Sequence, residues 1–276
     1  MKTRNSILML TGLLFSVAAN AGSVLKAETK EFDREPPVLG SVEVFTDGQS
    51  TRVEVISISS SESGGIIYRA ANREMIALDH GRQQYVVINQ EQIDRMAAQM
   101  SDAMRQMQEA LKSMPPEQRA MAEQMMGRQM GMSGTQPAAA PLEIAETGDS
   151  DTVAGMDCDY YEVTQAGRKI RDLCVAGWND IEGGRETADG MMAMADFFND
   201  MREAFSRAGN MAVLDRQQDM FQHMRELDGY PVLARDYDDT GAIRMETRLT
   251  SASEEDVDPY LFGPPEGYTE QKIPQM

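Results

Sequence analysis

The side chains that could do chemistry in this 276-residue chain are unevenly supplied: two histidines, two cysteines and 23 methionines. Thioethers are soft, flexible and polarizable, so three uses compete for them. They can fill a core, where methionine's good helix propensity helps. They can form an adaptable apolar surface that repacks around a lipid-like or protein ligand. Pairs such as Met96/Met100, Met100/Met104 and Met130/Met132 can instead bind a soft metal, above all Cu(I). The even spacing favours an apolar face, since a copper site more often joins methionine to histidine in a loop. Neither His80, in a predicted turn, nor His223, in a predicted helix, has a partner at metal-ligand spacing. Gly-x-Ser-x-Gly, phosphate-cradling and His-Glu-x-x-His patterns are missing, and carboxylate pairs are uninformative in so acidic a chain. No residue is therefore nominated as catalytic or as a metal ligand, and no cofactor is implied.

Asp236-Tyr237-Asp238-Asp239-Thr240-Gly241 opens like a calcium loop, with oxygen side chains at alternate positions and glycine sixth. The twelfth position is Thr247 where a bidentate glutamate is needed, so the segment reads as a hairpin turn. Cys158 and Cys174 flank another predicted hairpin. With a three-residue loop Gln165-Ala166-Gly167, Thr164 faces Arg168, and counting outward puts the two cysteines directly opposite, predicting a cross-strand disulfide.

The elements that position these residues follow from periodicity. Stretches of alternating polarity at 41–46, 51–59, 66–71, 75–79 and 84–89, separated by Asp47-Gly48, Ser63-Gly64-Gly65 and His80-Gly81, predict an antiparallel meander. A phase shift from Val53 and Val55 to Ile56 and Ile58 suggests a bulge or a strand buried on both faces. The period then lengthens: Ile93, Met96, Met100, Met104, Met107, Leu111 and Met114 share one helical face. Asn89 is the expected N-cap with Gln92 three residues on, and Pro115-Pro116 the expected stop. A second helix is expected to about residue 131, followed by an Ala/Pro connector at 133–141. Strands resume at 142–146 and through the cysteine hairpin to Trp178. Thr187 is the expected cap of a helix whose Met191, Met194, Phe198, Met201 and Phe205 share a face, and another helix is expected from about residue 211 to Gly229. A last hairpin, 230–236 with 242–250, turns at Asp239-Thr240-Gly241. Strands, helices, strands, helices and hairpin in that order predict an α+β fold: a curved antiparallel sheet, or half-open barrel, with the Met-rich helices on its concave face.

Residues 1–21 carry Lys2 and Arg4, an apolar run from Ile7 to Val17 and Ala19-Asn20-Ala21, the pattern of a secretory signal peptide. The apolar run is short for a bilayer span, which needs about 20 residues. Residues 22–38 read as an extended lead and 39–276 as one domain carrying a helical insertion at 90–132. The formal charge is −19, and loss of the two basic residues of the leader brings it to about −21. Such acidity disfavours nucleic acid and anionic membrane surfaces.

Several stretches resemble a family of exported bacterial proteins known only as a domain of unknown function and related to the LolA, LolB and LppX lipoprotein-carrier folds. They are Ile76-Ala77-Leu78-Asp79 with Tyr85-Val86-Val87-Ile88 and the Met-rich helix, then Ala154-Gly155-Met156-Asp157-Cys158-Asp159-Tyr160-Tyr161-Glu162-Val163. Gly229-Tyr230-Pro231-Val232 and Leu261-Phe262-Gly263-Pro264-Pro265-Glu266-Gly267-Tyr268 complete them. The resemblance implies a half-open antiparallel barrel with helices in its concavity, in the periplasm, and for the carriers acyl-chain binding beneath those helices. The long Met-rich insertion and the acidity depart from that pattern. The expectation is a non-enzymatic periplasmic protein with no stable membrane insertion and an apolar ligand or envelope-protein partner. Met96, Met100, Met104, Met107, Met191, Met194, Phe198 and Met201 would line the site by apolar contact. Copper handling through the same methionines, or a structural module of the cell envelope, are the alternatives.

Overall fold

The computed structural model describes residues 22–57, 63–115, 118–119, 140–209 and 227–272. The leader, residues 120–131 of the second expected helix, the connector up to residue 139, residues 211–226 of the helix expected to reach Gly229, and His223 lie outside the described residues; of that last helix, Leu227 and Asp228 form a turn and Gly229 opens a strand. Six strands come first: β1 (Gly22–Glu31), β2 (Val38–Thr46), β3 (Ser50–Ser57), β4 (Gly64–Arg69), β5 (Glu74–Asp79) and β6 (Gln84–Asn89). Helix α1 (Gln90–Ser113) follows, then β7 (Leu142–Val153), β8 (Met156–Gln165), β9 (Arg168–Gly177) and helix α2 (Gly184–Gly209). The chain continues through β10 (Gly229–Tyr237), β11 (Ile243–Glu255) and the short β12 (Thr269–Glu270).

The twelve strands of the described residues join one curved, unclosed sheet in the order β12-β6-β5-β4-β3-β2-β1-β11-β10-β9-β8-β7, with the helices on its concave face. The predicted α+β class and half-open barrel hold. Pairing is antiparallel throughout except for β12, which lies parallel to β6. Residues 22–38 do not stand ahead of the sheet as a lead: 22–31 are β1, flanked by β2 and β11 at the middle of it. Its first four residues are buried on both faces, so apolar Val24 and Leu25 sit side by side without the alternation that marks a half-exposed strand. No register shift breaks the pairing of β3 with β2 or β4. Thr51 to Glu54 are covered on both faces, or nearly so, whereas Val55 and Ile56 are exposed.

The cysteine hairpin turns through two residues, not three. Ala166 (φ 53°) and Gly167 (φ 74°) both adopt positive φ, the primed-turn geometry that matches strand twist, and Gln165 faces Arg168. A register shift follows between Val163 and Thr164, and Cys174 pairs with Tyr160. Cys158 and Cys174 form the expected disulfide, with Cα atoms 5.3 Å apart, but diagonally across the ladder instead of face to face.

After β11 the chain crosses behind β1–β6. A 3-10 turn at Pro259–Phe262, capped by the Asp258 carboxylate accepting from Tyr260 N at 3.0 Å, lays Leu261 and Phe262 with Val257 over Val24, Ile67, Ile76 and Leu78. Alternation in β4 sends Ile67 to this layer and Ile66 and Tyr68 to the helix side. A buried ionic chain holds the crossing in place. Arg52 donates from Nη1 to Leu261 O (2.6 Å) and from Nε to Glu54 Oε1 (2.5 Å). Glu54 Oε2 lies 2.5 Å from His80 Nε2, and His80 Nδ1 2.8 Å from the Tyr268 hydroxyl. His80 is thus engaged at both ring nitrogens by structural partners.

Candidate ligand-binding layer

Both helices are placed by local rules that can be read residue by residue. At the start of α1, Asn89 Oδ1 accepts from Gln92 N at 3.0 Å and Gln92 Oε1 accepts from Asn89 N at 2.9 Å, the reciprocal capping box expected. The helix stops at Ser113, ahead of Pro115, where the Arg119 guanidinium donates to the carbonyls of Leu111, Lys112 and Met114. Ile93, with no exposed surface, anchors its first turn.

Helix α2 begins at Gly184, one turn before the expected cap. Thr187 lies inside it, with its hydroxyl donating to Gly183 O at 3.0 Å and 2.6 Å from Ser23 Oγ of β1. The near end of α2 is therefore bound to the sheet through small, buried hydroxyl residues. Gly190 makes this possible, because a Cβ there would stand 2.2 Å from Thr51 Oγ1 and 2.6 Å from Thr46 Oγ1.

Between these helices and the sheet lies an apolar layer. Its buried members are Met194, Phe197, Met201, Ala204 and Phe205 of α2, Ile93 of α1, and Tyr68 and Met75 of the sheet. Met96, Met100 and Phe198 pack against it half-buried. Tyr68 and Phe197 stack at a tilt with centroids 5.5 Å apart, and burial, ahead of the charges nearby, raises the Tyr68 pKa. At the rim, Arg73 pairs with Asp200.

The structure thus brings together five of the eight nominated side chains: Met96, Met100, Met194, Phe198 and Met201. Met191 is buried elsewhere, against Trp178, with Ala188 and Tyr230 packed beside them. Burial pushes the Tyr230 hydroxyl up to about 12. Met104 and Met107 lie further along α1, half-buried and, among the described residues, outside the layer. Phe197, at 1 % exposure the largest fully buried side chain among the described residues, was not nominated. Its signal was present: it stands three residues after Met194 and four before Met201, on the same stripe as Phe198.

The layer can enclose apolar groups and offers little to a proton or a charge. Among the described residues no group of three or more His, Cys, Asp or Glu is arranged to hold a metal ion. The acidic turn resembling a calcium loop is a hairpin turn between β10 and β11. Asp238 Oδ1 accepts from Thr240 N, Thr240 Oγ1 and Ala242 N, and these hydrogen bonds hold its carboxyl below the usual range. Asp236 is paired with Arg171 at 2.5 Å.

Residues 92–268, which take in most of α1, all of α2 and the crossing segment as far as Tyr268, match the model of a domain of unknown function, DUF4412. The chain belongs to that family. No curated protein matches it. Similar shapes among solved structures include an uncharacterized conserved protein from Thermus thermophilus, 8% identical, with 92% of this chain and 91% of that one covered at a TM-score of 0.42. They also include the MucA/MucB complex of Pseudomonas aeruginosa (7%, 89% of this chain, 56% of that one, TM-score 0.35). A LolA superfamily protein from Nitrosomonas europaea is another (9%, 88% and 89%, TM-score 0.24). Among the described residues of this DUF4412 member, no helix is long and apolar enough to cross a membrane.

Proposed function

We propose that this DUF4412 protein is a non-enzymatic periplasmic binding protein that takes an apolar, lipid-like ligand, or an apolar segment of an envelope protein, between its sheet and its Met-rich helices. The observation that carries this reading is the convergence of Met96 and Met100 from α1 with Met194, Phe198 and Met201 from α2 over Tyr68 and Met75 of the sheet. Unbranched thioethers on two separate helices repack at small cost, which suits a layer that must part and close around chains of varied shape. The signal-like residues 1–21 and the disulfide support an exported, oxidising location. A second reading, in which the helices fill the concavity for good as a structural module of the envelope, draws on the full enclosure of Phe197 and the burial of Met194 beside it.

Native mass spectrometry of the mature protein, isolated from periplasm without detergent, separates the readings. A lipid-sized adduct that survives replacement of Met96, Met100 and Met104 by Leu is the expected result. Near-isosteric Leu leaves an apolar site in place, at a cost under about 1.5 kcal/mol per site. A copper-sized adduct abolished by that replacement would sink the proposal in favour of metal handling, and a clean apo mass would leave the filled, structural module.

A further inference from the structure

The two edges of the sheet are treated differently. At one end the protein closes its own edge: Thr269 N donates to Gln83 O at 3.0 Å and Gln271 N to Tyr85 O at 2.8 Å, so β12 covers β6. At the other end β7, twelve residues long, pairs with β8 and, among the described residues, with no other strand. Sheet edges are ordinarily kept from pairing with other chains by Pro, by charged side chains, by bulges or by being very short. Residues 142–153 contain no Pro and their charges are all negative, which bars another acidic strand and leaves a cationic one free to pair. They are mostly exposed, and a register break between Glu146 and Ser150 divides them into two regular runs.

The chemistry beside this edge has one sign. Glu143, Glu146, Asp149 and Asp151 lie on β7 itself and are exposed. A cleft of about 570 Å³ lies over its second run and the adjoining parts of β8 and β9, with Asp151, Asp157, Asp159 and Asp180 on its walls and no Lys or Arg among the lining residues. Two of these carboxylates are held in place. Asp151 accepts from Thr152 N at 2.8 Å and from the Tyr160 hydroxyl at 3.2 Å, and Asp157 accepts from Thr152 Oγ1 at 2.8 Å.

We propose that the outer edge of β7 takes up an extended, Lys- or Arg-bearing segment of another protein as an added strand, with cationic side chains on one face reaching toward the acidic cleft that Asp157 and Asp159 line. In strand addition the main chain supplies affinity, because outward N–H and C=O groups of the edge not already engaged by side chains, as Thr152 N and Asp149 N are, gain partners, and alternate side chains supply selectivity. The acidic walls select for positive charge and against anionic segments, and they speed encounter. The site is separate from the apolar layer, so either can stand without the other.

The test uses the mature, full-length protein and a fluorescein-labelled eight-residue peptide alternating Lys and Val, with a Glu–Val peptide of the same length as control. Anisotropy is expected to give saturable binding at least about tenfold tighter for the Lys–Val peptide, weakening as salt is raised. Hydrogen exchange on the wild-type complex is expected to slow at amides within 142–153 and to leave those of β12 unchanged. The triple change Asp151→Asn, Asp157→Asn and Asp159→Asn is expected to weaken binding about tenfold or more. No saturable binding overturns the proposal. Equal binding of the Glu–Val peptide also overturns it, as does binding without slowed exchange in β7, which is charge attraction with no strand added.

Discussion

Gly190→Ala should destabilise this protein, although the same change in an exposed helix stabilises. Position 190 is in the first half of α2, and ordinary helix propensity would reward alanine there by about 0.8–1.0 kcal/mol. Against that gain, the new methyl would stand 2.2 Å from Thr51 Oγ1 and 2.6 Å from Thr46 Oγ1, both on side chains with no exposed surface and both fixed in strands. Neither oxygen is the far end of a flexible chain, so the helix must lift off the sheet. Overpacking of this kind costs about 1–3 kcal/mol, and more where nothing yields. With two close contacts the cost falls toward the upper end of that range, and the net expectation is a loss of about 2 kcal/mol, read as a fall in the urea midpoint by circular dichroism with little change in slope. Adding Thr51→Ala, which removes the closest atom, should restore part of the loss, so that the two changes are non-additive in a double-mutant cycle. A stabilised Gly190→Ala protein, or strictly additive changes, would refute the close contact between α2 and β2–β3 and with it the fixed wall of the apolar layer.

Other outcomes follow from the same geometry. Phe197→Ala should cost about 3–5 kcal/mol in urea unfolding, whereas Phe198→Ala, one residue on and half-buried, should cost clearly less. Cys158→Ser with Cys174→Ser should lower stability by about 3 kcal/mol, given the 16-residue separation, and dithiothreitol should lower the wild type to match. Burial pushes the Glu246 carboxyl up, but the Arg235 hydrogen bond at 2.7 Å and the charges of Arg235 and Arg248 outweigh it and leave the pKa below the ordinary 4.5. A depressed carboxyl stabilises the fold in full above its unfolded value and loses that contribution as pH falls below it. Glu246→Gln should therefore flatten the acid limb of a stability-versus-pH profile below about pH 4.5 and leave its shape at neutral pH unchanged.

What could be read from the sequence was whatever local chemistry determines. The Asn89 capping box, the stop before Pro115 and the strands of the meander follow from the residues at each boundary, and they were legible to within a few positions. β1 was not, because burial on both faces removes alternation over its first four residues, and the Lys, Glu and Thr residues that follow look like a polar lead. Thr187 looked like a cap because its hydroxyl suits that role, but its partner is Ser23, 164 residues away. The diagonal disulfide hinged on the register shift after the turn, and no count of residues can supply that. The site divided in the same way. The helical stripes identified the methionines, but which of them meet was set by the docking of α2 through Gly190 and by the anchoring of the first turn of α1 through Ile93. Hence Met191 went to Trp178, Met104 and Met107 lay beyond the layer, and Phe197 took the centre.

The crossing segment after β11 bears on the order in which this chain can finish folding. β1 is among the first residues of the fold to be made, yet β11, one of its two neighbours, and the residues that cover Ile67 and Ile76 come near the other end of the sequence. Thr250 Oγ1 donates to Lys26 O across 224 residues. Closing such distances is the slow part of folding, because the entropy of the intervening chain must be lost before any contact repays it. Until residues 243–270 arrive, the meander presents an uncovered apolar face, the kind of surface on which incomplete chains aggregate.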